Sequence, residues 1–142
     1  ATREKKMFAV LYVDLDGFKE INDIHGHDMG DALLKLVSER MTASLRKSDT
    51  VARMGGDEFV AILDNVHTIE DALETGKKLQ KKLEQPYKML QAAVAVTASI
   101  GISVFPLHGK SASTLLKAAD HAMYSAKQQK NACVVFSPPQ RP

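Results

Sequence analysis

Val51-Ala52-Arg53-Met54-Gly55-Gly56-Asp57-Glu58-Phe59-Val60-Ala61-Ile62-Leu63 reads as two short apolar runs around a Gly-Gly pair. Glycine tolerates positive φ, so Gly55-Gly56 between such runs predicts a β-hairpin. Two acids, Asp57 and Glu58, follow the turn at once. Upstream, Phe8-Ala9-Val10-Leu11-Tyr12-Val13 is a continuous apolar run, typical of a strand buried on both faces. Asp14-Leu15-Asp16-Gly17 ends it. If extended geometry continues there, Asp14 and Asp16 point to the same side, because side chains two apart share a face.

The rest of the chain supplies helices to cover these strands. Residues 18–24 predict a short helix and 28–46 a long one, with Leu34, Val37, Met41 and Leu45 in one apolar stripe. Thr68 opens another, with Asp71 as its capping partner and Ile69, Ala72, Gly76, Leu79 and Leu83 as its stripe; Pro86 ends it. Residues 87–90 read as a short edge strand and 94–105 as a longer one rich in Val, Ile and Thr. A last helix over 113–127 turns Leu116, Ala119, Met123 and Ala126 inward, and 132–136 form the final strand. The order β-α-α-β-β-α-β-α-β puts a hairpin between crossover helices. An α+β sandwich with a mixed sheet is the expectation.

Bulk properties narrow the function classes. The 142 residues suit one domain with a single core, expected over 1–136, with 137–142 as a Pro-rich linker or disordered tail. A net charge of +2 gives no broad basic field for nucleic acid or a membrane surface. Few aromatics and no Trp argue against a platform for stacked bases. No apolar run is long enough to span a bilayer, so direct membrane insertion is not expected. One cysteine, Cys133, forms no internal disulfide, which fits a reducing, cytoplasmic setting. The five histidines show no metal-ligand spacing, and the Met residues fit core filling.

The chemistry lies in the acids. A hairpin tip beside the end of a neighbouring strand brings Asp57 and Glu58 towards Asp14 and Asp16. Converging carboxylates repel unless a cation joins them, and hard oxygen ligands suit magnesium. Either pair alone is more often a set of solvated turn acids. Two apolar strands delivering acids to one rim are harder to explain that way.

At this point the residues resemble a known family. Arg53-Met54-Gly55-Gly56-Asp57-Glu58-Phe59 is similar to the signature of GGDEF domains, the diguanylate cyclases. Asp14-Leu15-Asp16-Gly17-Phe18-Lys19-Glu20-Ile21-Asn22-Asp23 resembles their first motif, and His25-Gly26-His27-Asp28-Met29-Gly30-Asp31 the segment after it. Ala98-Ser99-Ile100-Gly101 and the stretch from Ala119 to Lys127 resemble two late motifs. The similarity runs over residues 8–136, and ordered motifs at family spacing are far more specific than five letters.

The resemblance implies a nucleotidyl-cyclase fold, a ferredoxin-like mixed sheet with flanking helices. It implies condensation of two GTP into cyclic di-GMP with release of pyrophosphate, using magnesium or manganese. Asp14 and Asp57 match the metal-binding carboxylates, with the Leu15 carbonyl as a further ligand. Glu58 matches the neighbouring acid, credited with metal binding or activation of the attacking hydroxyl. Asn22 and Asp31 match the guanine-reading pair; an acid accepting from guanine N1 and N2 is chemically apt. Gly17, Phe18 and Lys19 match the phosphate loop, Gly55 and Gly56 the close approach to the α-phosphate, and Arg53 a supporting arginine. Lys127 matches a late phosphate-binding lysine. The family then usually continues Gly-Arg-Asn or Gly-Lys-Asn, whereas this chain reads Gln128-Gln129-Lys130-Asn131; a one-residue deletion puts Lys130 in the second phosphate role. Arg46 and Asp49 fit the RxxD inhibitory site for cyclic di-GMP. A homodimer is implied for catalysis, with further domains in a parent chain that is itself membrane-tethered in some members. The alternative is a catalytically silent GTP- or cyclic di-GMP-binding domain attached to an EAL phosphodiesterase.

Overall fold

The structure is a computed structural model and describes residues 6–89 and 92–138. Strand β1 spans Met7–Asp16, followed by helices α1 (Phe18–His25) and α2 (His27–Ser44). Strands β2 (Thr50–Gly55) and β3 (Glu58–Val66) form the hairpin, and α3 (Ile69–Leu83) follows. Then come β4 (Tyr87–Lys88), β5 (Ala93–Val94), β6 (Thr97–Phe105), α4 (Ala112–Gln129) and β7 (Cys133–Val135).

Five strands join in the order β2-β3-β1-β6-β7. All pairs are antiparallel except β6 with β7, so the sheet is mixed, as expected. β1 sits at the centre and is paired on both sides. That is why its sequence is apolar almost throughout: Ala9, Leu11, Val13 and Leu15 face one side, and Val10 the other. The larger core lies between the first face and the stripes of α2 and α3, including Leu34, Val37, Met41, Ala72, Leu79 and Leu83. A smaller core beneath α4 joins Val10, Val60, Leu115 and Ala119, with Leu116 packed at its edge.

Three element readings change. β1 continues through Asp14 and Asp16, because Asp14 pairs with Glu58 on one side and Asp16 with Thr97 on the other. The strand expected over 94–105 is two strands. β1 ends at Asp16, so β6 has no central partner before Thr97, and Ala93–Val94 pairs instead with Tyr87–Lys88 in a separate ribbon. The expected edge strand over 87–90 therefore belongs to that ribbon, and its last residue, Leu90, lies outside the described residues. Residues 139–142 of the expected tail lie outside them too. The ends of α3 follow the sequence: Thr68 Oγ1 accepts from the Asp71 N–H at 3.0 Å, and α3 stops at Leu83, three residues before Pro86.

Candidate active site

The end of β1 and the tip of the β2–β3 hairpin meet at one rim. Gly56 has φ of 43°, a turn conformation that side chains with a Cβ rarely adopt. Arg53 braces this turn, its Nε donating to the Gly56 carbonyl at 3.1 Å. The tip then folds onto β1: the Leu15 N–H donates to the Asp57 carbonyl at 3.3 Å. Register places Glu58 directly across from Asp14, and opposite residues of an antiparallel pair share a face.

Asp14 is buried, among the few buried polar residues of the described chain. Burial raises its carboxyl above the ordinary value; the Lys127 hydrogen bond opposes the shift, and the nearby Asp57 charge adds to it. Lys127, reaching down from α4, donates to Asp14 Oδ1 at 2.8 Å and to the Leu15 carbonyl at 3.0 Å. Asp16 has a different task. Its carboxylate accepts from Thr97 Oγ1 at 2.8 Å, Ser99 Oγ at 2.7 Å and the Asn131 N–H at 2.9 Å, fastening β1 to β6 and to the α4–β7 turn.

Glu58 has a partner that sequence reading did not find. The Tyr12 hydroxyl donates to Glu58 Oε1 at 3.1 Å, and burial together with that carboxylate pushes the Tyr12 hydroxyl up to about 12. Tyr12 looked like one apolar letter of a buried strand; only the alternation that puts it on the Asp14 face could have singled it out.

The remaining assigned residues lie on the helices and turns that follow. Gly17, with φ of 74°, ends β1 and caps α1, so Phe18 and Lys19 open that helix beside the acids. Asn22 lies on α1 and bonds His27 Nδ1 at 3.0 Å through its amide. Gly30 makes room for it, since a Cβ there would stand 2.2 Å from Asn22 Oδ1. Asp31 follows on α2 with its side chain exposed. Lys130 caps α4 at φ of 61° and is exposed, and its side chain bonds no acid among the described residues. Lys130 and Asn131 both adopt positive φ, of 61° and 49°, so the turn after α4 forms without a glycine.

Arg46 and Asp49 are not part of this rim. They stand before β2, whose far end carries Gly55, about 20 Å from Asp49 along an extended strand. Asp49 accepts from the Arg46 N–H and the Asp64 N–H, each at 2.9 Å, which closes the α2–β2 turn. Both residues line a cavity of about 560 Å³ whose far wall is α3, with Asp71, Glu74 and Lys78.

Among the described residues no three His, Cys, Asp or Glu side chains close on one point. The donors that do converge, the Asp14 carboxylate and the Leu15 carbonyl, are hard oxygens already turned towards one cation, the Lys127 ammonium. They fit a divalent ion of the magnesium class, with Asp57 and Glu58 next to them. No helix of the described residues is long and apolar enough to cross a membrane.

Comparison with known proteins agrees with this geometry. The family model "Diguanylate cyclase, GGDEF domain" matches residues 1–133. The chain is 46% identical over 129 residues to the bifunctional diguanylate cyclase/cyclic di-GMP phosphodiesterase MucR of Pseudomonas aeruginosa, covering 91% of this chain and 19% of MucR. It is 43% identical over 122 residues to the cyclic di-GMP phosphodiesterase NbdA of the same organism, covering 86% of this chain and 16% of NbdA. Diguanylate cyclase TpbB, also from P. aeruginosa, is 39% identical over 130 residues, 91% of this chain and 30% of TpbB. The crystal structure of the TpbB GGDEF domain superposes with a TM-score of 0.91 at 37% identity, covering 94% of this chain and 84% of that one. The chain thus spans less than a third of each of these three curated relatives, and the shared part is the domain described above. With the family model matched nearly end to end and the fold shared with the TpbB GGDEF domain, the chain belongs to the diguanylate cyclase GGDEF domain family.

Proposed function

We propose that this domain condenses two GTP molecules into cyclic di-GMP and releases pyrophosphate. The observation that carries the reading is the arrival of Asp14 from β1 and of Asp57 and Glu58 from the hairpin at one rim, in a chain of this family. Asp14, Asp57, the Leu15 carbonyl and Glu58 are the residues that hold a divalent ion, magnesium or manganese. When bound, such an ion neutralises triphosphate charge and lowers the pKa of a coordinated hydroxyl.

The chain's own groups position the reactants. Asn22 and Asp31 read the guanine edge, and Asp31 as an acceptor selects guanine over adenine. The backbone at Gly17 and Phe18, with the Lys19 ammonium, receives phosphate oxygens. Gly55 and Gly56 carry no side chain between the hairpin and the α-phosphate, and Arg53 keeps that turn in shape. Lys127 and Lys130 face the distal phosphates. Glu58, held by the Tyr12 hydroxyl, is placed to accept the proton of the attacking 3′-hydroxyl. That oxygen bonds to the α-phosphorus of the second GTP while the bond to pyrophosphate breaks. Positioning and charge stabilisation supply most of the rate. One protomer carries one set of these residues, so two protomers meet with two-fold symmetry. Arg46, whose planar guanidinium grips a phosphate or guanine edge, and Asp49 form the inhibitory site for the product.

A covalently enforced dimer incubated with GTP and Mg²⁺ tests the reading, with cyclic di-GMP and pyrophosphate as the measured products. Asp57→Ala should lower turnover about 10²–10³-fold, as removal of a charge-stabilising group does. GTP binding without product in verified dimers would sink the enzymatic reading. It would support a second one, in which the domain senses nucleotide for an attached phosphodiesterase. That second reading has one observation in its favour: NbdA, 43% identical here, is named for phosphodiesterase activity.

A further inference from the structure

Lys127 bonds the two oxygens assigned above to the divalent ion. Its ammonium lies 2.8 Å from Asp14 Oδ1 and 3.0 Å from the Leu15 carbonyl, and 3.7 Å from Asp16 Oδ1. A magnesium ion demands the same lone pairs at about 2.0–2.1 Å. The two cations cannot share them, since like charges so close repel strongly. Lys127 is also free to leave. Its side chain is 35% exposed on a flexible four-carbon stem, whereas Asp16 stays fixed by Thr97, Ser99 and Asn131 after the ammonium has gone. In its absence Asp14 would be a buried carboxylate beside Asp57 with no other ion-pair partner among the described residues.

We propose that Lys127 is an internal stand-in for the metal: in the nucleotide-free domain its ammonium holds the Asp14 carboxylate and Leu15 carbonyl together, and metal entry expels it towards the triphosphate. This rests on the reading that Asp14 and Leu15 take the ion. The exchange makes metal and nucleotide binding mutually supportive. Metal alone must displace an ammonium that has nowhere better to go, while metal with nucleotide sends it to the phosphates. A domain so built binds its metal more tightly with substrate than without it.

The two roles of Lys127 give effects of opposite sign. Mn²⁺ binding without nucleotide, followed by electron paramagnetic resonance of the free ion, is compared for wild type, Lys127→Met, Lys117→Met and Asp14→Asn. Lys117 is an exposed residue of the same helix. Lys127→Met keeps the stem and removes the charge. It should bind Mn²⁺ about tenfold more tightly, a typical size for a coupling between sites. The same variant should bind a non-hydrolysable GTP analogue about tenfold more weakly, having lost a charge-assisted contact. Lys117→Met should change neither. Equal or weaker Mn²⁺ binding by Lys127→Met overturns the proposal while leaving Asp14 as a ligand. Binding indifferent to Asp14→Asn, or absent in every variant, overturns the metal-site reading and the proposal with it. A measurement on wild type guards against a variant that misfolds. Acetylation of Lys127, mapped by mass spectrometry, should rise on adding Mn²⁺ alone while that of Lys117 stays constant; unchanged labelling of Lys127 overturns the exchange.

Discussion

Asp14 is held where its charge is costly. Burial and the neighbouring Asp57 raise its carboxyl above the ordinary value in spite of Lys127. The folded chain therefore holds that proton more tightly than the unfolded chain does. Asp14's contribution to stability is complete below the unfolded carboxylate value and is lost as pH rises through the raised, folded one. Replacing Asp14 with Asn removes the ionisable group and the repulsion but keeps the shape. The variant should lose metal binding yet melt about 2–4 °C higher at neutral pH, with a flatter stability profile across the acid range. A thermal melt at several pH values reads both; a lower melting temperature at neutral pH would mean that the Lys127 pair outweighs the burial cost. At this scale much of the site was legible. The acids are strong letters, and their spacing on a strand gives their facing. Tyr12 was not legible, because a tyrosine in an apolar run looks the same whether its hydroxyl meets water or a carboxylate.

The elements explain why some glycines sit where they do. Gly101 on β6 lies under α4 so closely that a Cβ would stand 2.1 Å from the Ala119 carbonyl and 2.1 Å from the Met123 N–H. Both clashes are with helix backbone, which cannot swing aside as a side chain can. Gly101→Ala should lift α4 off the sheet and cost about 3 kcal/mol, or about 10 °C in melting temperature. It should also weaken GTP binding, because Lys127 reaches the acids from that helix. A variant as stable as wild type would show that α4 has room to move. Helix stripes and the hairpin were legible from periodicity and from a Gly-Gly turn. The split of 94–105 was not: a β-rich run continues through both strands, and what ends the pairing is the length of β1, eighty residues earlier in the chain.

The whole molecule brings Asp14, Asp57, Glu58 and Lys127 to one rim, and sets Arg46 with Asp49 at the other end of β2, facing α3. One protomer offers a single such rim. Initial velocity should then rise with about the square of protein concentration while dimers are scarce, and linearly once they predominate. Sedimentation measured alongside initial rates checks this, and velocity linear from the dilute monomer upward would show that one protomer suffices. The sequence by itself determined the central strand, the hairpin, the helix stripes, the Thr68 cap and the identity of the acids. These depend on periodicities of two and 3.6 and on turn chemistry, all of which act over a few residues. Tertiary structure alone decided the pairings. Tyr12 meets Glu58 across 46 positions, Thr97 meets Asp16 across 81, and Lys127 meets Asp14 across 113. No local pattern encodes such distances. They follow from the sheet order β2-β3-β1-β6-β7, which sets the hairpin on one side of β1 and hangs α4 over the end where its two aspartates lie.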